Sequence, residues 1–156
     1  MTVQPAPVWN WAHFRDLAPG DLYDILALRT AVFIVEQNCA YQDADGADQV
    51  SHHLWTRDAN GEIAASLRVV PPGVKYTEPS LGRIVTAATA RGTGLGRAVV
   101  QEGIARIATM YGPCAIRIGA QRYLLRFYEQ LGFVSTGREY DEDEIPHTEM
   151  LRPAAR

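Results

Sequence analysis

The stretch Arg91-Gly92-Thr93-Gly94-Leu95-Gly96-Arg97 constrains this chain more than any other. Three alternating glycines follow an apolar run, Leu81 to Val85, and precede a strongly amphipathic segment. A loop stripped of side chains at the start of a helix can turn successive backbone N–H groups onto an anion at the positive end of the helix dipole. A diphosphate suits such a loop. Glycine spacing alone also suits a plain turn, so neighbouring residues decide. A P-loop would need Gly-Lys and then Ser or Thr, whereas Gly96 is followed by Arg97 and Ala98. The dinucleotide pattern G-x-G-x-x-G meets Arg97 or Val99 where its last glycine belongs, which argues against a nucleotide hydrolase or dehydrogenase. R-x-x-G-x-G, from Arg91 to Gly96, fits.

The 156 residues suffice for one domain with one core, residues 1–8 forming a loose tail. Hydrophobic residues make up 47% and charged residues 21%, a globular balance. No apolar run approaches the ~20 residues of a membrane span, and no signal peptide is visible before Trp11. Cys39 and Cys114 are isolated and read as reduced thiols, giving a cytoplasmic expectation. The net charge of −3 argues against nucleic acid as a partner. Acids gather at Asp43, Asp45 and Asp48, and again from Glu139 to Glu144. Such runs are ordinarily solvated loops; flanking one cleft, they would favour a cationic amine. Asp43-x-Asp45-Gly46 lacks the ligand spacing and closing glutamate of a calcium loop, so no metal is expected.

In chain order, Trp9 to Phe14 alternates as a strand, and Asp21 is placed to cap a helix carrying Leu22, Ile25, Leu26, Val32 and Phe33 on one face. Arg29 and Glu36 share that face, either snorkelling to solvent or bordering a polar cleft. After a polar segment, Gln37 to Ser51, come a strand at His52–Arg57, an Asn60-Gly61 turn, an alternating strand from Ile63, and a strand from Leu81 to Thr86. The helix from Gly94 to Tyr111 turns Leu95, Val99, Val100, Ile104, Ile107 and Ala108 inward. A strand at Cys114–Ala120, parallel to the Leu81 strand by a right-handed crossover, precedes a helix from Tyr123 to Leu131. Val134–Thr136 and His147–Leu151 end the chain as two strands joined by the acidic loop. The order defines an α+β domain.

This order, with a glycine loop opening the central helix, resembles the GNAT superfamily of acyl-CoA-dependent N-acyltransferases over nearly the whole chain. Phe127-Tyr128-Glu129-Gln130-Leu131-Gly132-Phe133 is similar to that family's L-Y-x-x-x-G-F segment. Val32 to Cys39, with Tyr41-Gln42-Asp43 and Asp45-Gly46, resembles the ElaA family more narrowly, as do Gly82-Arg83, Gly119-Ala120-Gln121 and Ile145-Pro146-His147. The resemblance implies a mixed, mostly antiparallel sheet flanked by helices and splayed between two parallel central strands, with acetyl-CoA in the splay. It implies pantetheine on the backbone of Ile84, Val85 and Thr86, and the diphosphate on N–H groups from Arg91 through Gly92, Thr93, Gly94, Leu95 and Gly96 to Arg97. Arg91 and Arg97 either add charge near the phosphates or pair with surface acids. Gln121 stands where many members have asparagine, and Leu124 where they have alanine.

The implied reaction is attack of a neutral primary amine, on a small molecule or a peptide, on the thioester. It needs a proton acceptor, an oxyanion donor and an acid for the departing sulfur. Tyr128 matches the family's acid, and a backbone N–H of the fourth strand serves the oxyanion. Glu36 is the first candidate base, with His147, His53 or a water chain as alternatives. A non-catalytic acyl-CoA sensor on the same fold is the rival reading. GNAT-like domains often pair, so a homodimer is admissible.

Overall fold

A computed structural model describes residues 4–155. Residues 1–3 of the expected tail lie outside that range. Farther along the tail, the Val8 carbonyl accepts a hydrogen bond from Thr56 Oγ1 at 2.8 Å. Strand β1 (Asn10–His13) leads to α1 (Pro19–Arg29), which runs directly into a π-helical segment, Thr30–Glu36. The helix begins two residues before Asp21. Pro19, with its preset φ, takes the first helical position, and Ala18 supplies no side-chain cap. Asp21 therefore lies inside the first turn and binds Arg57 Nη2 at 2.6 Å.

Strands β2 (His52–Arg57), β3 (Ile63–Val70) and β4 (Ser80–Thr86) extend β1 into an antiparallel sheet of order β1-β2-β3-β4. After α2 (Leu95–Tyr111) come β5 (Ile116–Gln121), a 3₁₀ turn at Arg122–Leu124 and α3 (Leu125–Glu129). This last helix is shorter than the Tyr123–Leu131 span expected. Strands β6 (Val134–Glu142) and β7 (Ile145–Arg152) complete a second sheet of order β5-β7-β6. The expected acidic loop is mostly strand. Asp143 and Glu144 alone form its turn, at φ +50° and +66°, the left-handed pair a two-residue hairpin requires. Exposure of β6 on both faces removes the alternation that would have marked it.

The two sheets approach each other at β4 and β5. Near their starts, Arg117 N–H donates to Pro79 C=O at 3.2 Å, and the two strands belong to separate ladders beyond it. Strands joined at their beginnings and linked through α2 run the same way and splay apart. A bulge interrupts the pairing on the other side of β4: Ser66 pairs with Val85 and Arg68 with Gly82, so β4 takes three steps to the two of β3. Arg83, in that bulge, has φ +49°.

Beneath the splay lies one core. Val99, Val100 and Ile107 of α2 pack with Leu54, Leu67, Val69 and Leu81 of the first sheet. Ile116, Ile118, Met150 and Phe133 carry the core under the second. Burial of each such side chain contributes roughly 1.5–3 kcal/mol. Ala108, expected inside, is exposed. Gly103 instead faces inward, where a Cβ would stand 3.0 Å from both Leu67 and Leu81, so the helix seats on the sheet at a residue no hydrophobic count selects. Among the described residues no helix is long and apolar enough to cross a membrane.

Candidate functional site

The splay opens into a cleft of about 810 Å³, walled by β4, the glycine loop, the end of β5, α3, the π-helical segment and the β6–β7 hairpin. Ile84, Val85, Thr86, Arg91, Gly92, Gly94, Leu95, Gly96, Arg97, Gln121, Tyr128, Glu36 and His147 all line it. Thr93 does not; its Oγ1 turns back to the Ala90 carbonyl at 2.6 Å and ties the loop together.

The loop fits a diphosphate on its own geometry. Gly94 precedes α2 in the left-handed conformation, φ +84°, which only glycine adopts without strain. No protein acceptor is in hydrogen-bonding geometry for the N–H groups of Gly94, Leu95, Gly96 or Arg97 among the described residues. A Cβ at Gly92 or Gly94 would meet no atom within 4 Å, so the loop surface is open. One at Gly96 would lie 3.3 Å from Thr86 Oγ1, which seats the helix start on the end of β4. Arg97 donates to Gln130 Oε1 at 3.3 Å and has no carboxylate partner among the described residues. Arg91 is occupied. Both its terminal nitrogens bond the Glu36 carboxylate, Nη2 to Oε2 at 2.6 Å and Nη1 to Oε1. Those bonds hold the Glu36 carboxyl below its usual range.

Tyr128 sits where α3 ends. Phe133 N–H bonds Tyr128 C=O at 3.1 Å and Gly132 N–H bonds Glu129 C=O at 3.0 Å, with Gly132 at φ +92°. This paired pattern closes the helix, and the Phe133 ring meets the Tyr128 ring edge-on at 5.8 Å. Phe127 meets it likewise at 5.0 Å. Tyr128 is 6% exposed, and burial pushes its phenol above the ordinary value, so it stays protonated.

His147 is 8% exposed, and its ring stacks on Tyr140 at 5.5 Å. Nδ1 stands 2.7 Å from Ile145 C=O. A carbonyl only accepts, so Nδ1 carries the hydrogen and the neutral ring keeps its lone pair on Nε2, 3.6 Å from Glu142 Oε2. His53 is not in the cleft; it is buried, with Nε2 3.0 Å from the Asp48 carbonyl.

The acidic clusters part company here. Asp43, Asp45 and Asp48 are spent on cations. Arg29 reaches Asp43 at 2.9 Å and Asp48 at 2.8 Å, Arg68 reaches Asp45 at 2.7 Å and Asp48 at 2.9 Å, and Arg83 and Lys75 join at 2.7 and 3.0 Å. Three carboxylates face three guanidiniums and one ammonium, so this cluster is no lure for an amine. Arg29 does not snorkel; it is buried at the centre of that network. Glu142 and Asp143, from the second cluster, do line the cleft.

Several cleft residues escaped the sequence reading. Gln37 Oε1 accepts from Gln121 Nε2 at 3.4 Å, and Tyr76 and Tyr140 bring their hydroxyls to Gly119 on the β5 side. Tyr76 lies in a Pro-rich connection with no periodic signal. Tyr140 lies on a strand whose exposure hid it.

A mixed sheet split between parallel strands, with a glycine loop at the split and a buried tyrosine across it, is the architecture of the acyl-CoA acyltransferases. Residues 24–152 match the acetyltransferase (GNAT) domain family, and the chain belongs to it. Relatives over most of the length include a UPF0039 protein of Synechocystis sp., 39% identical across 92% of this chain and 93% of that one. Protein ElaA of Escherichia coli is 33% identical across 92% and 95%. The crystal structure of Escherichia coli ElaA superposes with a TM-score of 0.87 over 94% of this chain and 99% of that one, at 32% identity. An acyl-CoA N-acyltransferase from Pseudomonas aeruginosa does so at 0.86, 35% identical over 93% and 99%. The chain is thus an ElaA-like member of the GNAT family.

Proposed function

We propose that this chain is an acetyl-CoA-dependent N-acetyltransferase of the cytoplasm that acylates a primary amine by direct attack within a ternary complex. The observation that carries the reading is Tyr128, a protonated phenol held edge-on between two phenylalanines and facing a cleft opened by the glycine loop. Acetyl-CoA would supply the activated acyl group. Ile84, Val85 and Thr86 would offer the free edge of β4 to its pantetheine, and the N–H groups at the start of α2 would hold its diphosphate. Gln121 would add a side-chain amide at the end of β5.

Tyr128 would give its proton to the departing sulfur. Of the expected side-chain proton acceptors that line the cleft, His147 has Nδ1 against the Ile145 carbonyl, which leaves Nε2 as the acceptor nitrogen of the neutral ring, while Glu36 is committed to Arg91. A carboxylate so held is a weaker base, and this arrangement favours His147. Glu142 and Asp143 beside it would draw in a cationic amine.

Titration calorimetry with acetyl-CoA, followed by thiol release across a panel of amines, tests the reading. Binding at 1:1 with turnover of at least one amine is expected. Binding with no thiol release from any amine would favour the sensor reading, and loss of both would end the proposal.

A further inference from the structure

The segment that follows α1 crosses the cleft and touches three of its walls. Glu36, last residue of the π-helical turn, holds Arg91 of the glycine loop. Gln37 meets Gln121 at the end of β5, and Cys39 Sγ donates to the Asp143 carbonyl of the hairpin at 3.4 Å. π-Helical turns are frequent at functional positions, and this one, ending the helical run at Glu36, delivers a carboxylate to the face where an anion is expected.

Glu36 and Arg91 make a two-pronged pair, yet their side chains are 46% and 42% exposed. An ion pair so wetted is weak. A diphosphate carries more charge than a carboxylate and would also gain the unpaired N–H groups of the adjacent helix start. The two anions cannot share the guanidinium cheaply, since each would then stand beside a like charge. Resting on the acyl-CoA reading above, we propose that Glu36 is a removable counter-ion for Arg91, which the diphosphate of coenzyme A displaces, so that cofactor entry unfastens segment 36–39 from the loop. Glu36 is thus a positioning residue that acts through Arg91, and its carboxylate opposes binding.

Calorimetric titration of coenzyme A and of pantetheine into wild type, Glu36→Gln, Arg91→Ala and the double variant tests this. Glu36→Gln should bind coenzyme A about twofold to fivefold tighter, the worth of an exposed pair. Pantetheine, which lacks the diphosphate, should show no gain. In the Arg91→Ala background the gain should vanish. Unchanged or weaker coenzyme A binding by Glu36→Gln would overturn the proposal, since a carboxylate that orients Arg91 would be missed. A gain that survives Arg91→Ala, or that pantetheine shares, would overturn it equally, as general charge or loosened packing. Wild type that fails to bind coenzyme A would remove the acyl-CoA reading itself, and the proposal with it.

Discussion

The hydroxyl of Tyr140 occupies the space that a side chain at Gly119 would need. A Cβ at Gly119 would stand 2.0 Å from that oxygen and 3.4 Å from the ring carbon bearing it. Glycine on β5 therefore lets a ring from β6 lie across the strand, and the same ring stacks on His147. Gly119→Ala should push Tyr140 aside and cost about 1–3 kcal/mol by overpacking. Gly119→Ala with Tyr140→Phe should recover most of it, because the crowded atom is the hydroxyl. Urea unfolding of the two variants checks this; a single variant as stable as wild type would mean the ring does not rest there.

How much of this could be read beforehand follows from what local pattern encodes. The glycine loop, α2 and strands β2 and β3 were legible because their signals, turn residues and hydrophobic period, are short-range. The Tyr128 segment was legible for a similar reason: Gly132 and Phe133 close the helix within six residues. What escaped is non-local. The partners of Arg29 lie 14 and 19 residues away, and nothing at Asp43 or Asp48 announces which cation each will meet. The Glu36–Arg91 pair spans 55 residues. Strand β6, exposed at every residue but Tyr140, lacked the one-sided burial on which strand reading depends.

Asp48 ties Arg29 to Arg68, both nearly free of solvent. Asp48→Asn leaves the two guanidiniums facing a neutral amide and should destabilise the fold by about 3–5 kcal/mol. The pH dependence has a definite sign. Burial raises the Asp48 carboxyl, but bonds from Arg29 and Arg68 more than offset it, and the net shift is downward. Asp45 is likewise depressed, with the bonds from Arg68 outweighing burial. Their contribution is therefore complete above the unfolded value of about 3.9 and is lost as pH falls below it toward the folded values. Chemical denaturation at descending pH should show wild-type stability falling through that window and Asp48→Asn falling less steeply. Equal slopes would remove Asp48 from the explanation.

The two cleft bases separate by their pH profiles. With His147 as proton acceptor, the acid limb of kcat/KM should disappear in His147→Gln and remain in Glu36→Gln. Loss of the limb in Glu36→Gln alone would restore the glutamate. His147→Gln keeps a side chain of similar reach, so circular dichroism matching wild type would show that the Tyr140 stack is not what failed.

Tyr128→Phe removes one oxygen from a ring whose packing is set by Phe127 and Phe133, so the fold should be preserved. With Tyr128 as the acid for the departing sulfur, kcat should fall by about 10²–10⁴, the usual share of general acid catalysis, while acetyl-CoA affinity stays near wild type. Burial raises the phenol above its ordinary value near 10. A raised value keeps the proton in place through neutral and mildly alkaline pH, so any alkaline limb owed to Tyr128 must lie above ~10. Acyl donors with a better leaving thiolate give a further check. An acyl thioester of an acidic thiol needs less protonation of sulfur, and Tyr128→Phe should recover part of its lost rate with it. A variant equally slow with both thioesters would place the tyrosine in packing or binding, and one as fast as wild type would leave the sulfur to be protonated by solvent.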